Sequence, residues 1–310
     1  MNKTKLILSI LILILFCLAV SNRLLAGKKH PSEDPNSPPG LKSENNDEIS
    51  LSEADIGKKA LFQEKSDAIF TKYVDNKGLV DYATLRKKRI ELIDTIREFA
   101  ELHPAREMSW SDDAKIAFWI NAHNIYTLRL IIDNYPIKPK WFNIIYPDSS
   151  IMQIPGGRNK KFFRIMTMEY TLQEIERGIL MEKFRDPRVL FTLSYASMSG
   201  AYLLNEAYSA KKLESQLEKQ TSSFFNSSRG INIDKANSIV YLTDIFNWHK
   251  ELFIEKYGSI KKFRKREMHI RSYLNFLIKY LPDDQVRYLE SGDYTVQFQR
   301  YDWRLNEQIK

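Results

Sequence analysis

The stretch SDDAKIAFWINAHNIYTLRLIIDNYP, Ser111 to Pro136, decides how the chain is read. A serine stands ahead of two acids, as suits an N-cap followed by an acidic first turn. Behind it Ile116, Trp119, Ile120, His123, Tyr126 and Leu130 recur every three or four residues, the period of one helical face. Pro136 closes the segment because it cannot continue a helix. The stretch therefore predicts one long helix at the centre of a core.

Similar signals surround it. Asp81 caps a segment whose Leu85, Leu92, Ile96 and Phe99 share a face. Thr171 and Glu174 form a capping box ahead of Ile175, Ile179 and Leu180. Asp186 and Pro187 supply a cap and a first-turn proline before Val189 to Ala196. Ser209 leads a helix with Leu213, Leu217 and Phe224, and Thr243 another with Phe246 and Phe253. Ser259 starts a basic helix that runs to Pro282. Strand patterns are fewer: Phe162 to Met168, Ile231 to Ile233, Ser238 to Leu242 and Thr295 to Tyr301, with a hairpin turn over residues 234–237. They are not spaced for βαβ units. The class expected is α+β, a predominantly helical single domain over residues 54–310 with a small, mostly antiparallel sheet.

Ahead of that domain the composition changes twice. Residues 1–21 carry Lys3 and Lys5, an apolar run from Leu6 to Val20, and a small-x-small site at Ala19-Val20-Ser21, the three parts of a secretory signal. Fifteen helical residues rise about 22 Å against about 30 Å of hydrocarbon, which favours a cleaved signal. An N-terminal membrane anchor remains open, because Leu24, Leu25 and Ala26 can lengthen the run. A lipoprotein needs Cys17 as the lipidated residue, and Phe16 stands where a small residue belongs. Residues 22–53 are expected to be a Pro/Ser/Asn-rich tether: from Lys28 to about Ser52, with Pro31, Pro35, Pro38 and Pro39, almost no apolar side chain appears, a composition expected to be disordered. The expected location is the cell envelope: periplasmic, or tethered to the inner membrane.

Cys17 is the only cysteine of the protein, so the domain has no disulfide, no thiolate metal site and no cysteine nucleophile. The five histidines, 30, 103, 123, 249 and 269, have no i, i+4 pairing, and neither a metal nor another cofactor is expected. His249, beside Trp248, reads as a helix-surface or core-edge residue. The net charge is +8. This basic balance calls for an anionic partner; export argues against nucleic acid and leaves an anionic envelope surface, with Lys261, Lys262, Arg264, Lys265 and Arg266 as the basic patch. Trp141, Phe142 and Tyr146 lie in a loop-like stretch and are the aromatics expected to be exposed. Gly156-Gly157-Arg158 lacks the strand–turn–helix setting of a phosphate loop and reads as a turn with Arg158, Lys160 and Lys161 solvated.

The motif Ala117-Phe118-Trp119-Ile120-Asn121-Ala122-His123-Asn124 resembles the family called domain of unknown function 547, which usually has tyrosine where His123 stands. The resemblance runs from about residue 65 to 306. It takes in Gly78-Leu79-Val80-Asp81-Tyr82, Ile175-Glu176, Asp186-Pro187-Arg188-Val189, Asn205-Glu206-Ala207-Tyr208, Asp244-Ile245-Phe246-Asn247-Trp248 and Tyr301-Asp302-Trp303-Arg304-Leu305-Asn306. It implies a domain and no reaction. Family members also carry a histidine and two cysteines after the Asp-Pro-Arg start, which invites thiol or metal chemistry. Here Leu190, Tyr195 and Gly200 stand in those places, and Ala201-Tyr202 replace two prolines.

The candidate pocket is Trp119, Asn121, His123 and Asn124 on the long helix with Ser194, Tyr195, Ser197, Ser199 and Gly200. Buried amides three apart, as Asn121 and Asn124 are, usually satisfy a neighbouring backbone. The serines lack the Gly-x-Ser-x-Gly elbow of a hydrolase. The expectation is a non-catalytic envelope protein that binds an unknown protein or small-molecule partner. The alternative is a hydrolase-like enzyme using serine and histidine, with His123 or His249 beside Asp244 or Asp302.

Overall fold

A computed structural model describes residues 61–309. The signal, tether and domain-start readings for residues 1–60 lie outside the described residues.

Helices α1 (Leu61–Tyr73), α2 (Tyr82–Lys87), α3 (Arg89–Glu101) and the short α4 (Pro104–Met108) lead into α5 (Asp112–Asp133). The Asp81 carboxylate accepts from the Thr84 N–H at 3.0 Å, and Ser111 Oγ accepts from the Ala114 N–H. Leu85, Leu92 and Phe99 are buried on one side as the spacing predicted, although the chain breaks between α2 and α3 at Lys88. Helix α5 is buried on every face from Ile116 to Leu128, so it is a central helix with no solvent stripe. It packs against α1, α2, α3 and a later helix over Glu174–Phe184.

That later helix is a π-helix. Its capping box is formed: the Thr171 N–H donates to Glu174 Oε2 at 2.7 Å, and the Glu174 N–H donates back to Thr171 Oγ1 at 3.1 Å. π-Turns are rare and concentrate at functional positions. Asp186 caps the next element, accepting from the Arg188 N–H at 2.9 Å, but that element is only a 3-10 turn, Pro187–Phe191. The expected helix through Ala196 is therefore an irregular, buried segment of turns and bends, with Ala196 at positive φ.

Helices α6 (Leu213–Phe225), α7 (Ile245–Trp248), α8 (Lys250–Tyr257), α9 (Met268–Leu277) and α10 (Asp283–Ser291) complete the helical layer. Phe191, Phe224, Phe225, Phe246, Phe253, Tyr273 and Phe276 make one continuous aromatic core among them, with ring centroids 4.6 to 6.3 Å apart. Helix α9 begins at Met268, nine residues later than the sequence suggested. Lys261 to Arg266 form a turn instead, with Phe263 at φ +56° packed on the core and Lys261, Lys262, Arg264 and Lys265 exposed. Helical packing of so many like charges at i, i+4 is unfavourable, and the turn spreads them.

The sheets are small. Phe163–Ile165 (β1) pairs antiparallel with Met168–Tyr170 (β2); Met166 and Thr167 turn between them with positive φ, so the expected single strand is a hairpin. Ile231–Asp234 (β3) pairs antiparallel with Ile239–Leu242 (β4) across the 234–237 turn, and β4 pairs parallel with Thr295–Phe298 (β5). The class is α+β, predominantly helical and mostly antiparallel in its sheets. Among the described residues no helix is long and apolar enough to cross a membrane.

Residues 301–307 then run back across the molecule. The Met198 and Ser199 N–H groups donate to the Arg304 and Asp302 carbonyls, and Val80 bridges Glu307. Asn306 accepts from the Tyr82 hydroxyl at 2.8 Å and donates to the Gly78 carbonyl at 3.1 Å. Gly78 has φ +70°, and a Cβ there would lie 2.8 Å from the Leu203 backbone nitrogen. Gly78→Ala is expected to cost about 1–3 kcal/mol from backbone strain alone, and more because the neighbouring atom is main chain. A urea midpoint unchanged by this substitution would show that the loop relaxes freely.

Candidate functional site

The π-helix turns Glu176 inward, where its side chain is only 4% exposed. A buried carboxylate without a partner is costly, and an arginine and a histidine answer it. Arg158 Nη2 lies 2.6 Å from Glu176 Oε2, and His249 Nε2 lies 3.0 Å from Oε1, off the line of a straight hydrogen bond. Burial pushes the Glu176 carboxyl up; Arg158 first, then His249 and His123, outweigh it and hold it down at about 2. Burial lowers the guanidinium pKa of Arg158, and Glu176, together with Tyr195 and Tyr301, more than reverses that.

Tyr195 lies beneath the pair, with the Arg158 guanidinium 4.4 Å above its ring. Burial, then Glu176, raises its phenol far above the ordinary tyrosine range. His123 belongs to the same neighbourhood: burial drops its imidazole to about 4 against an opposing pull from Glu176. Its Nδ1 is 3.4 Å from Asn124 Oδ1, while its Nε2 and the Tyr195 hydroxyl have no partner. Trp248 packs between Tyr195 (5.6 Å), Tyr301 (4.8 Å) and Trp303 (5.7 Å, near parallel), so the returning C-terminal segment supplies half of an aromatic wall.

Arg158, Glu176, Trp248 and Trp303 face a cavity of about 550 Å³, closed elsewhere by Phe142, Asn143, Gly156 to Asn159, Gln173 and Arg177. That volume suits a small molecule. A second cavity of about 560 Å³, between Arg86, Asp133 and Lys138, offers only exposed charges. The first one has a fixed buried ion pair at its floor.

The residues expected to form a pocket take other places. Trp119 is buried and meets Phe118 and Tyr170 edge-on. Asn121 Nδ2 donates to the Tyr208 carbonyl (2.8 Å) and its Oδ1 accepts from the Tyr208 N–H (2.9 Å). Asn124 does the same at the other end of that segment, donating to the Thr192 carbonyl (3.0 Å) and accepting from the Ser194 N–H (2.7 Å). Ser194 Oγ accepts from the Ala196 N–H, Ser197 Oγ shares a proton with the Tyr301 hydroxyl, and Ser199 Oγ accepts from the Asp302 N–H. Gly200 is buried, with its carbonyl accepting from Arg229. None of these nine lines the cavity, though Tyr195 supports its floor from behind.

One reading needs correction: Arg158 is not solvated, because the buried Glu176 recruits it. Of the two places open to His249, it takes the core edge, 7% exposed beside the same carboxylate. Glu176 and Trp303 were visible only as parts of the resemblance. The available signal was a glutamate within an apolar helical face; its partner is 18 residues away in a turn, which no periodicity supplies. Among the described residues no three His, Cys, Asp or Glu side chains are placed to hold a metal.

Residues 108–225 match the family model described as "Protein of unknown function, DUF547". No curated protein and no solved structure matches the chain.

Proposed function

For a chain that belongs to the DUF547 family of proteins of unknown function, we propose ligand binding in the envelope: an exported protein that holds a small anion with a flat apolar face, and turns nothing over. The observation that carries this reading is the Arg158–Glu176 pair at the base of a cavity walled by stacked tryptophans. Arg158 and Glu176 cancel, so Arg177 leaves the lining net cationic. Trp248, Trp303 and Phe142 offer an apolar face, and Asn143, Asn159 and Gln173 can fix orientation. Catalysis finds less support. Where the family has cysteine there is a buried phenol held protonated, which is no nucleophile. Among the described residues, the hydrogen-bond partners of Ser194, Ser197 and Ser199 include no histidine, which weakens the serine–histidine hydrolase alternative.

The test is tryptophan fluorescence of the purified protein titrated with small carboxylates and phosphates that carry a flat ring. At least one is expected to give a saturable change that Trp303→Ala removes. Arg177→Ala is expected to weaken it about tenfold or more, the size of one hydrogen bond to a charged group. No saturable response from any such anion overturns the reading, as does turnover that Ser199→Ala stops.

A further inference from the structure

We propose that the loop from Lys138 to Tyr146 is a membrane-docking surface that sets the rim of the cavity against an anionic bilayer. The loop exposes Trp141 (86%), Phe142 (54%), Ile144 (83%) and Ile145 (76%) within five residues. A contiguous patch of this kind on a soluble face marks an interaction site.

The exposure is built into the fold. Gln153, itself 1% exposed, holds the loop from inside: its Oε1 accepts from the Lys140 N–H at 2.8 Å, and its Nε2 faces the Asn143, Tyr146 and Pro147 carbonyls at 3.1 to 3.3 Å. Asn143 Nδ2 adds a bond to the Met152 carbonyl at 2.8 Å. With its backbone fixed this way, the loop turns its largest apolar side chains to solvent.

Charge selects the partner. Lys138 and Lys140 flank the apolar residues and are exposed. Exposed Lys160 and Lys161 follow Gly156 to Asn159, which close the same cavity as Phe142, and Phe162 beyond them is 57% exposed. Asp148 is the single acid between Lys138 and Phe162. Apolar and tryptophan side chains ringed by lysine suit the interface of an anionic bilayer: the rings enter the headgroup boundary and the ammonium groups meet lipid phosphates. A protein partner or a second copy would need no such ring of cations. The apolar run Leu6 to Val20 gives the chain its own reason to be near a membrane. Docking rests on the loop and stands whether or not the cavity takes a small anion.

The assay uses the full chain and vesicles rich in phosphatidylglycerol that contain brominated phospholipid. Because the N-terminal run can hold the chain at a vesicle by itself, cosedimentation does not decide the matter, whereas contact by Trp141 does. Tryptophan emission is expected to be quenched by the bromolipid. Trp141→Phe should remove the quenched component, since Trp119 is buried and Trp110, Trp248 and Trp303 are packed on the core. Ile144→Ser with Ile145→Ser should abolish quenching while Trp141 stays in place. Lys138→Gln and Lys140→Gln should each weaken it about fivefold, and phosphatidylcholine vesicles should weaken it similarly. The proposal is overturned if bromolipid leaves Trp141 unquenched and acrylamide reaches it equally with and without vesicles. It is also overturned if Trp141 is already shielded in lipid-free protein in a concentration-dependent way, which would assign the patch to a second copy.

Discussion

Arg158→Met is expected to destabilise the fold by about 3–5 kcal/mol, because it leaves the Glu176 carboxylate buried with its chief counter-charge gone. Both side chains are largely shielded, at 22% and 4% exposure, so solvent cannot take over the arginine's role. Arg158→Met combined with Glu176→Leu should recover most of the loss, since an apolar pair of similar volume needs no charge partner. Urea unfolding at neutral pH measures both, and a single variant within about 1 kcal/mol of wild type would refute the assignment.

The pH dependence gives an independent check. In the wild type Glu176 is held at about 2, below its ordinary 4.5. Its contribution is therefore present above the ordinary glutamate value and is lost as pH falls through that value toward about 2. Without Arg158 the largest lowering influence is gone and the carboxyl rises from about 2, so acid takes less of this contribution from the variant than from the wild type. The deficit of Arg158→Met should shrink as the solution is acidified. His123 is depressed chiefly by burial and further by Arg158; removing the arginine eases that depression, which shrinks the deficit in acid as well. A deficit that grows with acid would mean that another cation has replaced the arginine.

Asn121→Leu and Asn124→Leu should be nearly as damaging, for a different reason. Each amide serves one backbone N–H and one backbone C=O on the irregular segment between Thr192 and Tyr208. Leucine matches the volume and strands both groups in a fully buried place, at about 1–3 kcal/mol per group. Hydrogen exchange should rise between residues 192 and 208 in both variants, and the two losses should couple because the segment is shared. If either variant unfolds at the wild-type urea concentration, the amides are fillers and something else holds that segment.

Those amides mark the limit of what the sequence disclosed. Caps and boxes at Asp81, Ser111 and Thr171–Glu174 were legible because donor and acceptor sit within three residues of each other. The 234–237 turn was legible for the same reason. The basic stretch before Met268 misled because helical spacing was read through charges that repel at that spacing, and only the inward Phe263, held by tertiary packing, fixes the turn. The π-helix at Glu174–Phe184 was invisible, since its apolar residues fit an α period nearly as well. At the candidate site, Tyr195 was named from the resemblance, while Arg158 was assigned to solvent. A turn arginine reads as surface until the fold brings it to a glutamate in another element.

The returning segment at residues 301–307 has a consequence for the order of assembly. Floor residues Arg158 and Glu176 follow α5 closely in the sequence, whereas the wall needs Trp248 and, further along, Trp303. The Val80–Glu307 bridge joins strands of chain more than two hundred residues apart in sequence. Contacts of such separation form slowly, because loop closure precedes their reward. A folding chain can collapse around α5 early, yet its ion pair faces an unfinished wall until residues 301–307 have docked. Time spent in that half-built state leaves apolar surface open, and a chaperone that recognises it would act between the folding of the helical core and the seating of Trp303.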